Sequence, residues 1–230
     1  MPLGARCATL MDVPPYTLSG MVYGTLLNHQ TSLQALGDAI DKPPYQGAPR
    51  APVLYIKPRN TLATSGDAIA VPPAVNELEI GASLGLVIGR PACHLSEESA
   101  LGYLAGYLIV NDVSVPHTSY YRPSIAYKAR DGFCPLGPRV VPRAAIANPD
   151  ALSIRVYVDD ELKETTSTAE LVRSVATLLA DVTDFMTLSP GDVLAVGVAC
   201  PAPRVRAGQR VRIEIDGIGR LENTFVGSAA

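Results

Sequence analysis

Glu77 and Glu79 stand one residue apart in NELEIGASLGLVIGR (76–90), at the mouth of an apolar run. On a strand, residues i and i+2 share a face. Two such carboxylates either converge on a hard divalent cation or repel each other harmlessly in water, and the spacing alone allows both. A third carboxylate, Asp112, follows the apolar part of YLIVNDVSV (107–115). A carboxylate emerging from a buried strand needs a cation or a donor to offset its desolvation. The plain alternative is an Asp that caps its own turn. YKARDGFCPLGP (127–138) then sets Lys128, Arg130 and Asp131 just before a Pro- and Gly-rich segment. Lys128 either pairs with Asp131 or offers a compact positive charge to a substrate carboxylate or an enolate oxygen. His117, five residues after Asp112, is a loop histidine with acid/base or anion-binding capacity. Tyr121 and Arg122 add a hydroxyl and a guanidinium fork suited to carboxylates.

Other chemistries find no support. The GxGxxG, Walker and HExxH patterns are missing, which leaves nucleotide-cofactor and zincin reactions unmotivated. The four cysteines are scattered without a CxxC pair, so a zinc cage or disulfide framework is not expected. Cys134 reads as a packing thiol, since no histidine is placed to activate it. A net charge of −3 and the lack of a basic stripe argue against a nucleic-acid partner. The N-terminus lacks a charged segment followed by an apolar core, and no apolar run reaches ~18 residues. A cytoplasmic protein without a membrane span is expected.

These side chains need a scaffold. At 230 residues, with 47% hydrophobic and 18% charged residues, the chain can bury a substantial core. Its 20 prolines and 19 glycines predict short elements and many loops. Residues 42–52 read as a turn- and polyproline-prone connector, preceded by a short helix around Leu26–Leu36. VLYIKP (53–58), AIAVPP (68–73), SLGLVIG (83–89) and YLIVNDVSV (107–115) read as strands. A helix is expected from Ser96 through Ala105, with Ser96 accepting a first-turn N–H. SIRVYVDDELKE (153–164) predicts a hairpin turning at Asp159-Asp160. The spacing of Leu171, Val175, Leu178, Leu179, Val182, Phe185 and Met186 predicts a helix behind a Ser167…Glu170 capping box. LSPGDVLAVGVA (188–199) and QRVRIEIDGIGRLENTFV (209–226) close the chain as turn-separated strands. The expected fold is β-rich and mixed α+β, one domain over 1–230. Within it, 1–50 is an N-terminal segment and 51–230 the β core.

NDVS, then KxxDxFxPLGP, then LSPGDVLAVG, then GIGRLEN resemble the fumarylacetoacetate hydrolase superfamily in content and order, from about Gly20 to the C-terminus. GMVYGTLLNH, PVLYIKPRNT and YLIVNDVSVPHTSYYRP narrow the resemblance. They are similar to the N-terminal half, or separate subunit, of the isomerase/decarboxylase branch of 4-hydroxyphenylacetate (homoprotocatechuate) degradation. The resemblance implies a β-sandwich roll with a few short helices. It also implies an enolate-forming isomerase or decarboxylase, acting on 5-oxopent-3-ene-1,2,5-tricarboxylate or 2-hydroxyhepta-2,4-diene-1,7-dioate. Homo-oligomers, or hetero-oligomers with a related subunit, go with it. A degenerate partner subunit and an acylpyruvate-type hydrolase are the alternatives within the same family.

The family holds Mg or Mn with a Glu-x-Glu pair and an Asp. Asp112 matches that Asp, and Lys128 the lysine of KxxDxFxPLGP. Lys128, Asp131 and His117 are the catalytic candidates; Tyr121, Arg122, Arg130 and Asn28 are the substrate-binding ones. Counting back from Gly89 places Gly81 and Ser83 where the Glu pair belongs. Glu77 and Glu79 fall upstream, since four residues move a side chain ~13 Å along a strand, and solvation at the strand's entrance is expected for both. The stretch after Asn28, HQTSLQAL, holds a His without the family's Glu three residues on, and Val198 stands where the family has Thr. A metal in this chain is therefore an open expectation.

Overall fold

The computed structural model describes residues 12–13, 16–19, 21–117 and 124–227. Among them, twelve strands of three or more residues carry the fold. In chain order they are β1 (Val22–Leu26), β2 (Val53–Lys57), β3 (Leu62–Thr64), β4 (Ala68–Val71), β5 (Ala82–Ile88) and β6 (Leu104–Asn111). β7 (Cys134–Pro142), β8 (Ser153–Val158), β9 (Glu161–Ser167), β10 (Val193–Ala195), β11 (Arg210–Ile215) and β12 (Gly219–Gly227) follow. One sheet of seven runs β2-β1-β10-β5-β6-β7-β3, and one of five runs β9-β8-β11-β12-β4. The helices are short: α1 (Gln30–Leu36), α2 (Glu97–Ala100), α3 (Ile125–Lys128) and α4 (Val175–Phe185). None of the described helices is long and apolar enough to cross a membrane.

β5 and β6 explain why the large sheet is central. Every residue of both strands is buried, as near-continuous apolar runs predict for strands covered on two faces. Leu84, Leu86, Ile88, Tyr107 and Ile109 join Ile154, Val156, Ile213 and Phe225 of the small sheet in one core. On the opposite face Val87, Leu108 and Val110 pack with Val22, Leu136 and Val193 in a second, smaller cluster. β1, which sequence reading left in the N-terminal segment, pairs with both β2 and β10 inside this sheet.

The β8–β9 hairpin forms as its sequence predicts. Asp159 and Asp160 both take positive φ, 49° and 65°, the geometry of a two-residue hairpin turn. Two helix expectations need correction. Ser96 makes no side-chain cap, and α2 gives way after Ala100 to a 3-10 turn, Leu101–Tyr103, so that β6 begins at Leu104. Ser167 caps only the 3-10 turn Thr168–Glu170, and α4 starts at Val175 behind Ser174. The delay has a cause: Val172 and Arg173 donate their N–H groups to Asn28, through its carbonyl and its Oδ1 at 3.0 Å. That pairing holds the chain extended until Ser174.

β9 also carries a pH-sensitive carboxyl. Burial first, and the Glu170 charge second, push the half-buried Glu164 up to about 7. A raised carboxyl pKa means the folded state keeps a proton that the unfolded chain loses near pH 4 to 5, so stability falls as pH rises from about 5 to 8. Glu164→Gln is expected to flatten that decline in urea-unfolding free energies measured across the window. An unchanged slope would refute the assignment.

Candidate active site

Asp112 sits immediately past β6, and its N–H bonds the Gly81 carbonyl at 2.8 Å, just ahead of β5. Sheet register thus carries the carboxylate to the end of the two most buried strands. Two ammoniums meet it there: Lys128 Nζ lies 2.6 Å from Oδ2 and Lys57 Nζ 2.7 Å from Oδ1. The Tyr55 hydroxyl donates to Oδ2 as well. Asp112 is 4% exposed, Lys57 1% and Lys128 7%, so this is a desolvated charge cluster and not a surface ion pair. Burial alone would raise the Asp112 pKa. The Lys128 and Lys57 ammoniums outweigh it and hold the carboxyl well below the usual range. Burial, and then the Asp112 charge, push the Tyr55 phenol well up, so it stays protonated and donating.

The two lysines have different work. Lys57 Nζ donates to the carbonyls of Val113, Lys128 and Phe133 at 2.7, 2.9 and 2.8 Å, which uses its three protons. Its approach to Asp112 Oδ1 is therefore charge attraction without a directed hydrogen bond, and Oδ1 accepts none among the described residues. Lys57 ties the Asp112 loop to α3 and to the segment entering β7. Lys128, the last residue of α3, makes one side-chain hydrogen bond, to Asp112, and lies 4.7 Å above the Tyr55 ring. β2 supplies Tyr55 and Lys57 two residues apart on one face, opposite Gly24 and Val22 of β1. Gly24 is required there: a Cβ would lie 2.0 Å from Tyr55 Cζ.

A cavity of about 440 Å³ opens over this cluster. Tyr55, Gly81, Asp112, Ser114, Lys128 and Val198 line it, with His117, Glu79 and Arg204 among its other walls. His117 stacks on Tyr127 at 5.2 Å, and its Nδ1 lies 2.9 Å from the Val115 carbonyl. A carbonyl only accepts, so Nδ1 carries the proton and Nε2 is the basic nitrogen. Burial pushes the Cys134 thiol up to about 12, which fits packing and not nucleophilic chemistry.

Sequence reading therefore named Asp112, Lys128 and His117 in positions that share one cavity. Other candidates lie elsewhere. Asp131 is exposed and accepts from Asn60 at 2.8 Å, so it is not the partner of Lys128. Arg130 is exposed and turns its Nε back to the Ala126 carbonyl. Asn28 spends its amide on Val196, at 2.7 Å, and on Arg173, a structural clamp outside the cavity lining. Tyr121 and Arg122 lie outside the described residues. Glu79 was expected to be solvated at the strand entrance, but it lines the cavity with its side chain 23% exposed, 3.6 Å from Arg204. Glu77 does pair outward, 2.6 Å from Arg206. The signal that places Glu79 inside is its parity with Gly81. Tyr55 was missed; Lys57 was read only as one of several basic residues able to meet an anionic small molecule, and Glu170 only as part of a capping box, although it lies 3.4 Å from His29 Nε2.

The positions facing Asp112 decide how a metal fits. Gly81 offers no side chain, and a Cβ there would stand 2.7 Å from the Asp112 carbonyl oxygen. Ser83 is buried, and its Oγ reaches the Leu84 carbonyl and the Gly197 N–H at 3.3 Å each. The described residues hold no group of three or more His, Cys, Asp or Glu side chains with ligand spacing. The single carboxylate on the floor is already flanked by two ammoniums. Hard divalent cations want several oxygen ligands, and Gly81 and Ser83 supply no carboxylate to join Asp112, so these residues do not fit Mg²⁺ or Mn²⁺.

The chain is 38% identical over 209 residues, 91% of its length, to the 4-hydroxyphenylacetate degradation bifunctional isomerase/decarboxylase of Escherichia coli, of which the match covers 48%. It thus spans about half the length of the curated relatives it matches first. 5-Carboxymethyl-2-hydroxymuconate delta-isomerase from Mycobacterium smegmatis superposes with a TM-score of 0.79 at 27% identity, over 93% of this chain and 81% of that one. Maleylpyruvate hydrolase from Sphingobium sp. SYK-6, solved with manganese (II) and pyruvate, superposes at 0.74 with 26% identity, over 91% and 71%. Residues 21–226 match the family described as fumarylacetoacetate (FAA) hydrolase C-terminal. On that match and that identity, the chain belongs to the fumarylacetoacetate hydrolase family.

Proposed function

We propose that this chain is an isomerase/decarboxylase unit acting on small unsaturated 2-oxo dicarboxylates, working in the cytoplasm beside a related half or subunit. The observation that carries the reading is the Lys128 ammonium, buried against Asp112 and facing the cavity. In 5-oxopent-3-ene-1,2,5-tricarboxylate, loss of CO₂ from the allylic carboxylate sends the C–C electron pair through the double bond to the oxo oxygen. The product is the dienolate of 2-hydroxyhepta-2,4-diene-1,7-dioate. Isomerisation of that diene passes through the same anion, with a proton leaving oxygen and another arriving at carbon. Both reactions need a fixed positive charge where the oxyanion forms, and Lys128 supplies one. His117, with its basic Nε2, is the proton carrier of this reading.

The test is turnover of both compounds by the purified chain, followed by ultraviolet absorbance, alone and mixed with a metal-bearing relative. Conversion by the chain alone is the expected result. A second reading makes the chain a non-catalytic partner half, and Gly81 and Ser83 in place of carboxylates support it. Activity that appears only in the mixture, and survives Lys128→Met in this chain, would establish that second reading instead.

A further inference from the structure

We propose that this cavity takes a small 2-oxo carboxylate directly on the Lys128 ammonium, with no divalent cation between them. The inference rests on the proposed use of this cavity but concerns binding, which is measured separately from turnover.

Three observations carry it. First, the floor holds two ammoniums against one carboxylate, 2.6 and 2.7 Å away, which leaves one positive charge in excess in a desolvated place. Such an excess draws an anion and repels a dication, and low local dielectric strengthens both effects. Second, the excess is directed. Lys57 has given its three protons to backbone carbonyls. Lys128 has given one, to Asp112, and its other two N–H groups have no acceptor among the described residues although the side chain is only 8% exposed. A buried donor left this way calls for an acceptor from outside, and a carboxylate or oxo oxygen is the matching group. Third, the positions beside Asp112 offer no carboxylate for a metal. A side chain cannot grow at Gly81 without pushing on the Asp112 backbone, and Val198 is apolar; Ser83, outside the lining, has its hydroxyl committed to the Leu84 carbonyl. Glu79, higher on the wall, is balanced by Arg204 at 3.6 Å and does not cancel the floor.

The positive charge that a metal supplies elsewhere is here part of the protein. Lys128 takes the carboxylate or oxo oxygen as a point charge with rotatable donors, and Asp112 and the Tyr55 ring hold the ammonium in place.

The experiment titrates pyruvate into the intact chain, following binding by ligand-observed NMR, once in EDTA and once in excess Mg²⁺. Dissociation constants within about twofold of each other are expected. Lys128→Met should weaken binding at least about tenfold, and Mn²⁺ added alone should show no stoichiometric site by electron paramagnetic resonance. Binding that requires Mg²⁺, a stoichiometric Mn²⁺ site, or no pyruvate binding in either buffer would each overturn the proposal. If Lys128→Met does not fold, the EDTA and Mn²⁺ measurements on the unaltered chain still decide. Pyruvate binding in EDTA with no turnover of the dicarboxylates would overturn the proposed function and leave this inference standing.

Discussion

Lys128→Met is expected to lower kcat on the heptadienedioate about 10²- to 10³-fold, the usual cost of removing one preorganised group at a developing oxyanion. Methionine keeps the unbranched shape of the side chain, one atom shorter, while deleting the charge. No other cation in the described cavity can take over. The protons of Lys57 are held by three carbonyls, and Arg204 is 55% exposed at the rim and shared between Glu77 and Glu79. The loss falls on kcat because the charge matters most once the oxyanion has formed. Steady-state kinetics on the folded variant provide the check, and kcat within tenfold of the unaltered chain would remove Lys128 from the reaction.

The legible part of this site was the part encoded by strand depth. Asp112 and Gly81 are hydrogen-bonded neighbours, so a register counted from LGLVIG set Gly81 beside the carboxylate, while Ser83 pairs with Val110, outside the cavity lining. The same counting put Glu79 one step higher. It missed only that the cavity reaches that far, which depends on Arg204 and on segments distant in sequence. The contacts of Tyr55 and Lys57 with Asp112 were not legible for a different reason. VLYIKP reads as an apolar strand with a lysine at its end, and a terminal lysine is ordinarily solvated. Nothing local says that β2 lies beside β1 at a glycine, leaving room for a tyrosine ring to reach Asp112. Likewise Asp131 looked like the partner of Lys128 because the two are close in sequence, yet α3 ends between them and turns them apart. The His29 contact with Glu170 joins residues 141 positions apart in sequence, and neither residue's own neighbourhood announces it. The two sheets themselves were legible as strands and turns, while the order of strands within each depends on long-range pairing.

Lys57→Met is expected to be the most destabilising single change at this site, by about 3–5 kcal/mol, because it takes one of two cations from a buried carboxylate and unpairs the carbonyls that shared its protons. The variant leaves three carbonyls, those of Val113, Lys128 and Phe133, without their shared donor. Each unsatisfied buried acceptor carries its own desolvation cost. For a chain of this size such a loss lowers Tm by roughly 6–20 °C. The effect is also pH-dependent, with a sign that the cluster dictates. Asp112 has a depressed pKa in the folded protein. Its stabilising contribution is complete above the ordinary carboxyl pKa of about 4 and is lost as pH falls through the folded value. Removing Lys57 removes part of that depression, so the deficit of the variant is largest near neutrality and narrows in acid. Urea unfolding at pH 7 and below about pH 3 measures both. A deficit below about 1 kcal/mol at neutral pH, or one that widens in acid, would mean that Lys57 does not hold the Asp112 cluster together.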